Sequence, residues 1–113
     1  MNNNNNQKIK GENLKVKDNL FFINDSIDNL LERLNNNHYN NRIERNNLIL
    51  NVIRLRQPIS KYELAKITGL SYATIKTISK GFKFCDLIFE KVAEGENSMP
   101  VKLLYIKEEE NEN

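Results

Sequence analysis

Apolar residues fall into four stretches along this chain, and their spacing predicts the elements. From Asp18 to Asn36, Leu20, Ile23, Ile27, Leu30 and Leu34 recur three and four apart, which lines them up on one helical stripe widened by Phe21, Phe22 and Leu31. Asn24, Asp25 and Ser26 interrupt the run with side chains better suited to a cap than to a helix interior, so the helix is expected to begin near Asp25. A second, wider stripe of Leu48, Ile49, Val52, Ile53 and Leu55 runs from Arg42 to Arg56. It stops at Gln57 because proline at Pro58 disfavours helical geometry in the residue before it. After Ile59, read as a bridge strand, two short amphipathic segments occupy Lys61 to Lys80. Farther on, Ile88 to Val92 and Val101 to Ile106 alternate with period two around a turn containing Gly95 and Asn97, the pattern of a β-hairpin.

The two short segments carry the most chemistry. Ser60 and Glu63 have the S-x-x-E spacing of a capping box, in which the hydroxyl accepts one orphan amide and the glutamate reaches back to another. Leu64, Ala65 and Ile67 then face inward. Gly69 ends this helix, since a helix commonly stops on a residue at positive φ, which glycine adopts without a Cβ clash. Ser71 caps a following helix expected over 71–81, with Ile75, Ile78 and Phe82 directed inward. Its other face holds Tyr72, Ala73, Thr74, Lys76, Thr77 and Lys80, residues that are small, hydroxylated or cationic and fit to approach a phosphate-lined groove.

At Ala65, Gly69, Leu70, Ile75 and Ile78 the chain resembles the helix-turn-helix family of DNA-binding proteins. With the preceding helix and the following hairpin the order resembles the winged helix subclass. Over ISKYELAKITGLSYATIK it is similar to the DNA-binding part of ROK-type repressors and, more loosely, to MarR-like transcriptional regulators. The likeness runs from about Asn46 to Ile106. It implies a mainly α fold with a small β-hairpin (α+β), a winged helix-turn-helix, here with an additional N-terminal amphipathic helix. It also implies that the helix after Ser71 enters the major groove of double-stranded DNA, with Tyr72, Ala73, Thr74, Lys76 and Thr77 near base edges, Lys80 and Lys83 near phosphates, and Ser71 also among the DNA-binding residues. Lys61, Lys91 and Lys102 are expected at the DNA backbone. The hairpin tip departs from the pattern, because Ala93 to Pro100 holds Glu94 and Glu96 and no basic residue.

The charge distribution agrees with a polyanionic partner. The net charge is only +2, yet residues 42–107 carry 12 basic and 6 acidic residues while 1–41 balance and 108–113 hold four glutamates. Lysines and arginines displace condensed counterions from DNA, which is where non-specific affinity comes from. The chain divides accordingly into an asparagine-rich tail at 1–17 too polar to order itself, an amphipathic helix and polar connector at 18–41, the DNA-binding unit at 42–107 and an acidic tail at 108–113. The first helix is short for a free-standing coiled coil, so either its own domain or a second copy must cover it. The reading leans to a homodimer seam through Leu20, Ile23, Ile27, Leu30, Leu31 and Leu34.

Other chemistries have little to stand on. One cysteine, Cys85, and one histidine, His38, cannot make a Cys/His zinc site or an internal disulfide. No glycine-rich phosphate loop or Ser/His/Asp set appears, so no enzyme activity, cofactor, metal or catalytic residue is expected. With no apolar run near the ~20 residues of a membrane span and no signal peptide, the expected location is the cytoplasm, without a membrane partner. No small-molecule effector is implied. The rival expectation is a winged-helix protein-interaction module, for which the acidic tip is the main argument.

Overall fold

A helix buried on nearly every side forms the centre of the molecule. The computed structural model describes Gln7–Lys8 and residues 21–106. In chain order the elements are β1 (Gln7–Lys8), β2 (Phe21–Phe22), α1 (Ile27–Asn35), α2 (Arg42–Arg56), β3 (Ile59–Ser60), α3 (Lys61–Thr68), α4 (Tyr72–Phe84), β4 (Ile88–Glu94) and β5 (Pro100–Ile106). This is an α+β fold with four helices among the described residues, a three-stranded antiparallel sheet in the order β3-β5-β4, and a separate antiparallel pair β1-β2. The acidic tail and most of the asparagine-rich tail lie outside the described residues, as does Leu20.

In α2 every residue from Asn47 to Ile53 is buried. Leu48, Ile49, Val52 and Ile53 pack into one cluster with Leu30 and Leu34 of α1, Leu64 of α3, Ile75, Ile78 and Phe82 of α4, and Leu104 and Ile106 of β5. A helix apolar on one stripe normally keeps its other face in water. Here the back face is covered as well, and that explains two buried polar residues, Asn47 and Asn51. Asn51 accepts the Ile23 amide at 2.8 Å on Oδ1 and donates from Nδ2 to the Phe21 carbonyl at 2.8 Å. Asn47 Oδ1 accepts the Phe21 amide at 2.9 Å. Arg54 completes the clasp by donating to the Ile23 carbonyl at 3.1 Å and placing its guanidinium 4.7 Å from the centre of the Phe22 ring. The segment from Phe21 to Ile23 is thus pinned in extended form across α2 by side-chain amides.

That clasp shortens the first helix. It starts at Ile27, where Ser26 Oγ accepts the Asn29 amide at 3.1 Å, so the phenylalanines lie upstream of it and outside its stripe. Leu30 and Leu34 are 0% and 1% exposed against α2 and α3, which corrects the expected dimer seam at these two positions: the chain's own core has consumed them. The physical reason is length, since nine residues are too few to stay helical in water alone. Burial of each leucine supplies about 2 kcal/mol toward holding the helix in place. Ile23, Ile27 and Leu31 are partly buried on the same cluster.

The sheet locks the hairpin to the helices. Ile59 and Ser60 pair with Leu104 and Leu103, while β4 pairs with β5 from Ile88↔Ile106 to Glu94↔Pro100. The alternation of the strands puts Ile88, Glu90, Leu104 and Ile106 on the helix-facing side, and the opposite side carries an edge-on Phe89–Tyr105 pair at 5.9 Å. Helix α4 also differs from expectation. It runs through Gly81 and ends at Phe84, because Phe82, 2% exposed, anchors the last turn more strongly than one glycine weakens it. An interior glycine costs only ~1 kcal/mol relative to alanine.

Candidate nucleic-acid interface

Two local caps aim α4. Ser60 Oγ accepts the Glu63 amide at 3.0 Å, and Gly69 adopts φ 77° to close α3 while its amide donates to the Ala65 carbonyl at 3.0 Å. The expected capping box forms only by half: Glu63 is exposed and makes no return bond to Ser60, whose backbone is paired in the sheet through β3. Buried Thr68 binds the Leu64 carbonyl at 2.8 Å and accepts the Leu70 amide at 3.3 Å, which stiffens the three-residue link to Ser71. Ser71 then starts α4, with Oγ accepting the Thr74 amide at 3.1 Å and donating to Thr74 Oγ1 at 2.9 Å. Both hydroxyls are therefore engaged with each other.

The outward residues of α4 separate into two stripes. Tyr72, Lys76, Lys80 and Lys83, spaced three and four apart, line a groove of about 630 Å³ over the buried Ser79, together with Ser60, Lys61 and Tyr62 of the β3–α3 corner and Pro100, Val101 and Lys102 of β5. Ala73, Thr74 and Thr77 lie along the other edge and share a smaller recess of about 340 Å³ with Arg42 and Arg45 from the first turn of α2. The helix thus has a middle strip of small residues with cations to either side. Nothing in the described chain covers the exposed Ala73 and Thr77, or Tyr72, which is 46% exposed.

Five lysines converge on the groove and one carboxylate answers them. Glu90 Oε2 lies 2.7 Å from Lys61 Nζ and Oε1 lies 3.1 Å from Lys83 Nζ. The hydrogen bond from Lys61 is the main reason the Glu90 carboxyl sits below its ordinary range; burial opposes this and Lys83 assists it. Lys76 stands 5.8 Å from the centre of the Tyr72 ring. Lys80 and Lys102 have no ion pair among the described residues, so the groove keeps a positive excess.

Of the residues expected at DNA, the structure gathers Tyr72, Lys76, Lys80, Lys83, Lys61 and Lys102 in the groove and Ala73, Thr74 and Thr77 beside it. Lys61 is only 17% exposed and committed to Glu90, so it shapes the groove more than it reaches out of it. Lys91 is elsewhere: its ammonium lies 5.8 Å from the Tyr105 ring on the opposite side of the sheet. Sequence reasoning missed Arg42, Arg45, Tyr62 and Glu90. Only Glu90 had a local signal, a carboxylate two positions from Ile88 on the same face of β4.

Among the described residues no helix is long and apolar enough to cross a membrane, and no group of three or more His, Cys, Asp or Glu is arranged to hold a metal. Comparison with protein-family models, curated proteins and solved structures finds no match for the chain.

Proposed function

We propose that the chain is a winged helix-turn-helix that binds double-stranded DNA with α4 in the major groove, as a small transcriptional regulator does. One observation carries this reading: the open strip of Ala73, Thr74 and Thr77 runs between Arg42 and Arg45 on one side and Lys76, Lys80, Lys83 and Lys102 on the other. A major groove about 12 Å wide is bordered by two phosphate rails, and a helix lying in it needs cations on both flanks and small or methyl-bearing residues at its centre. The Thr74 methyl and Ala73 suit a thymine methyl, while the absence of Asn and Gln from this strip limits adenine reading. With Leu30 and Leu34 inside the core, the proposal calls on no dimer seam along α1.

Fluorescence anisotropy of a labelled duplex against salt concentration tests it. Five cations meeting phosphates, Arg42, Arg45, Lys76, Lys80 and Lys102, with Lys83 held by Glu90, give a slope of about −4.5 in log K against log salt. No binding to any duplex at 50 mM salt would dismiss the proposal. A second reading, docking of a protein partner on the hairpin, is favoured by one observation, the exposure of Val92 and Met99 (67% and 62%) beside Glu94 and Glu96. Retention of duplex binding after Val92→Ser with Met99→Ser separates the two.

A further inference from the structure

The lysine groove has features that a duplex backbone leaves unused. Its lip carries two tyrosine rings, Tyr62 at 69% and Tyr72 at 46% exposure, at the first turns of α3 and α4. Each ring has a cation near it from the next helical turn, Lys66 at 6.0 Å and Lys76 at 5.8 Å. A duplex rail offers only sugar and phosphate, which give an exposed aromatic face no flat partner. An unpaired strand offers both kinds of group, bases that stack on rings and phosphates that meet ammoniums.

The dimensions suit this occupant. Tyr72 to Lys83 spans eleven residues of helix, about 16 Å at 1.5 Å per residue, so the groove holds a short run of nucleotides lengthwise. Its charge is matched to them as well, since Glu90 neutralises part of the Lys61 and Lys83 charge and leaves Lys80 and Lys102 for phosphate. We propose that this groove binds an unpaired stretch of DNA, with bases stacked on Tyr62 and Tyr72 and phosphates on Lys80 and Lys102. The groove itself needs no duplex contact by Thr74 or Arg42; only the choice of DNA over RNA rests on the function proposed above.

The test uses the full chain and three labelled probes, a twelve-residue oligothymidylate, an abasic strand of equal length and the corresponding oligouridylate. Oligothymidylate is expected to bind at least tenfold more tightly than the abasic strand and to quench tyrosine fluorescence. Tyr62→Ala should remove about tenfold of that affinity with no change for the abasic strand, and Tyr62→Phe should restore it. Lys80→Ala with Lys102→Ala should weaken both strands. Equal affinity for oligothymidylate and abasic strand, or no effect of Tyr62→Ala with an unchanged circular dichroism spectrum, would overturn stacking and leave a charge-only surface. Tighter binding of oligouridylate would overturn the choice of DNA. Duplex affinity measured in parallel separates this proposal from the previous one, because Thr74→Ala and Arg42→Ala should weaken the duplex and spare the single strand.

Discussion

Lys61, the first residue of α3, meets Glu90, in the middle of β4, with Nζ 2.7 Å from Oε2, and the pair is more than four-fifths withdrawn from water on both sides. Lys83 of α4 shares the same carboxylate at 3.1 Å. One side chain thereby ties the hairpin to both helices that form the groove. Its position has a direct consequence for acid stability. Because the folded protein holds this carboxyl below its ordinary value of 4.5, the stabilisation is complete above that value and is lost as pH falls through the lower folded one. Urea denaturation of the native chain and of Glu90→Gln at pH 7 and at pH 3.5 should show a larger acid loss for the native chain. Equal losses would mean that the ion pair contributes nothing to folding.

The same substitution should raise duplex affinity. It removes one negative charge from a lysine groove and releases Lys83, whose side chain is 38% exposed, for a phosphate. The expected change is a salt slope steeper by about one contact, read from anisotropy at four or more salt concentrations.

Arg42→Ala with Arg45→Ala tests the opposite flank. Two lost phosphate contacts should flatten the salt slope by about 2 and weaken cognate and random duplexes alike. Thr74→Ala, by contrast, should affect cognate sequence preferentially. If the arginine pair left the slope unchanged, α4 would not lie with that edge toward a phosphate rail.

Asn51→Ala should be costly without touching the groove. The side chain is 0% exposed and satisfies the Ile23 amide and the Phe21 carbonyl, so its removal strands buried backbone groups. A loss of about 2–4 kcal/mol in urea midpoint analysis is expected, with duplex affinity of the folded fraction unchanged.

Leu34→Ala probes the role taken by α1. A buried leucine truncated to alanine costs about 3 kcal/mol through lost transfer energy and the cavity left behind. Light scattering on this variant and the native chain should give the same molar mass for the folded species. A fall in mass would show that Leu34 acts between copies rather than inside one.

How much of this was legible in the chain follows from how local each cause is. The α3–Gly69–α4 unit is written in neighbouring residues, because caps at Ser60 and Ser71 and a left-handed glycine act over three or four positions. The hairpin was equally readable from alternation. The destination of Leu30 and Leu34 was not, since a stripe states which side must be covered and is silent about what covers it. Asn47 and Asn51 carry no local sign of their burial, and only the return of Phe21–Ile23 across α2 gives them partners. Arg42 and Arg45 stand some thirty residues from Thr74 and Thr77. Their proximity to α4 is produced by the packing of two helices, which no spacing rule encodes. Gly81 was misleading for the opposite reason, a local stop signal overridden by the anchoring of Phe82.

The hairpin pairs continuously as far as Glu94 and Pro100, and its turn is closed by the Gly95 amide donating to the Met99 carbonyl at 2.7 Å. Asn97, at φ 61°, is the outermost bend. Everything that positions α4 is already complete below that point. A fluorophore, affinity tag or short foreign peptide spliced in after Glu96 would therefore ride at the far end of a finished ladder, which makes this loop the natural handle for immobilising or labelling the molecule while its helices remain at work.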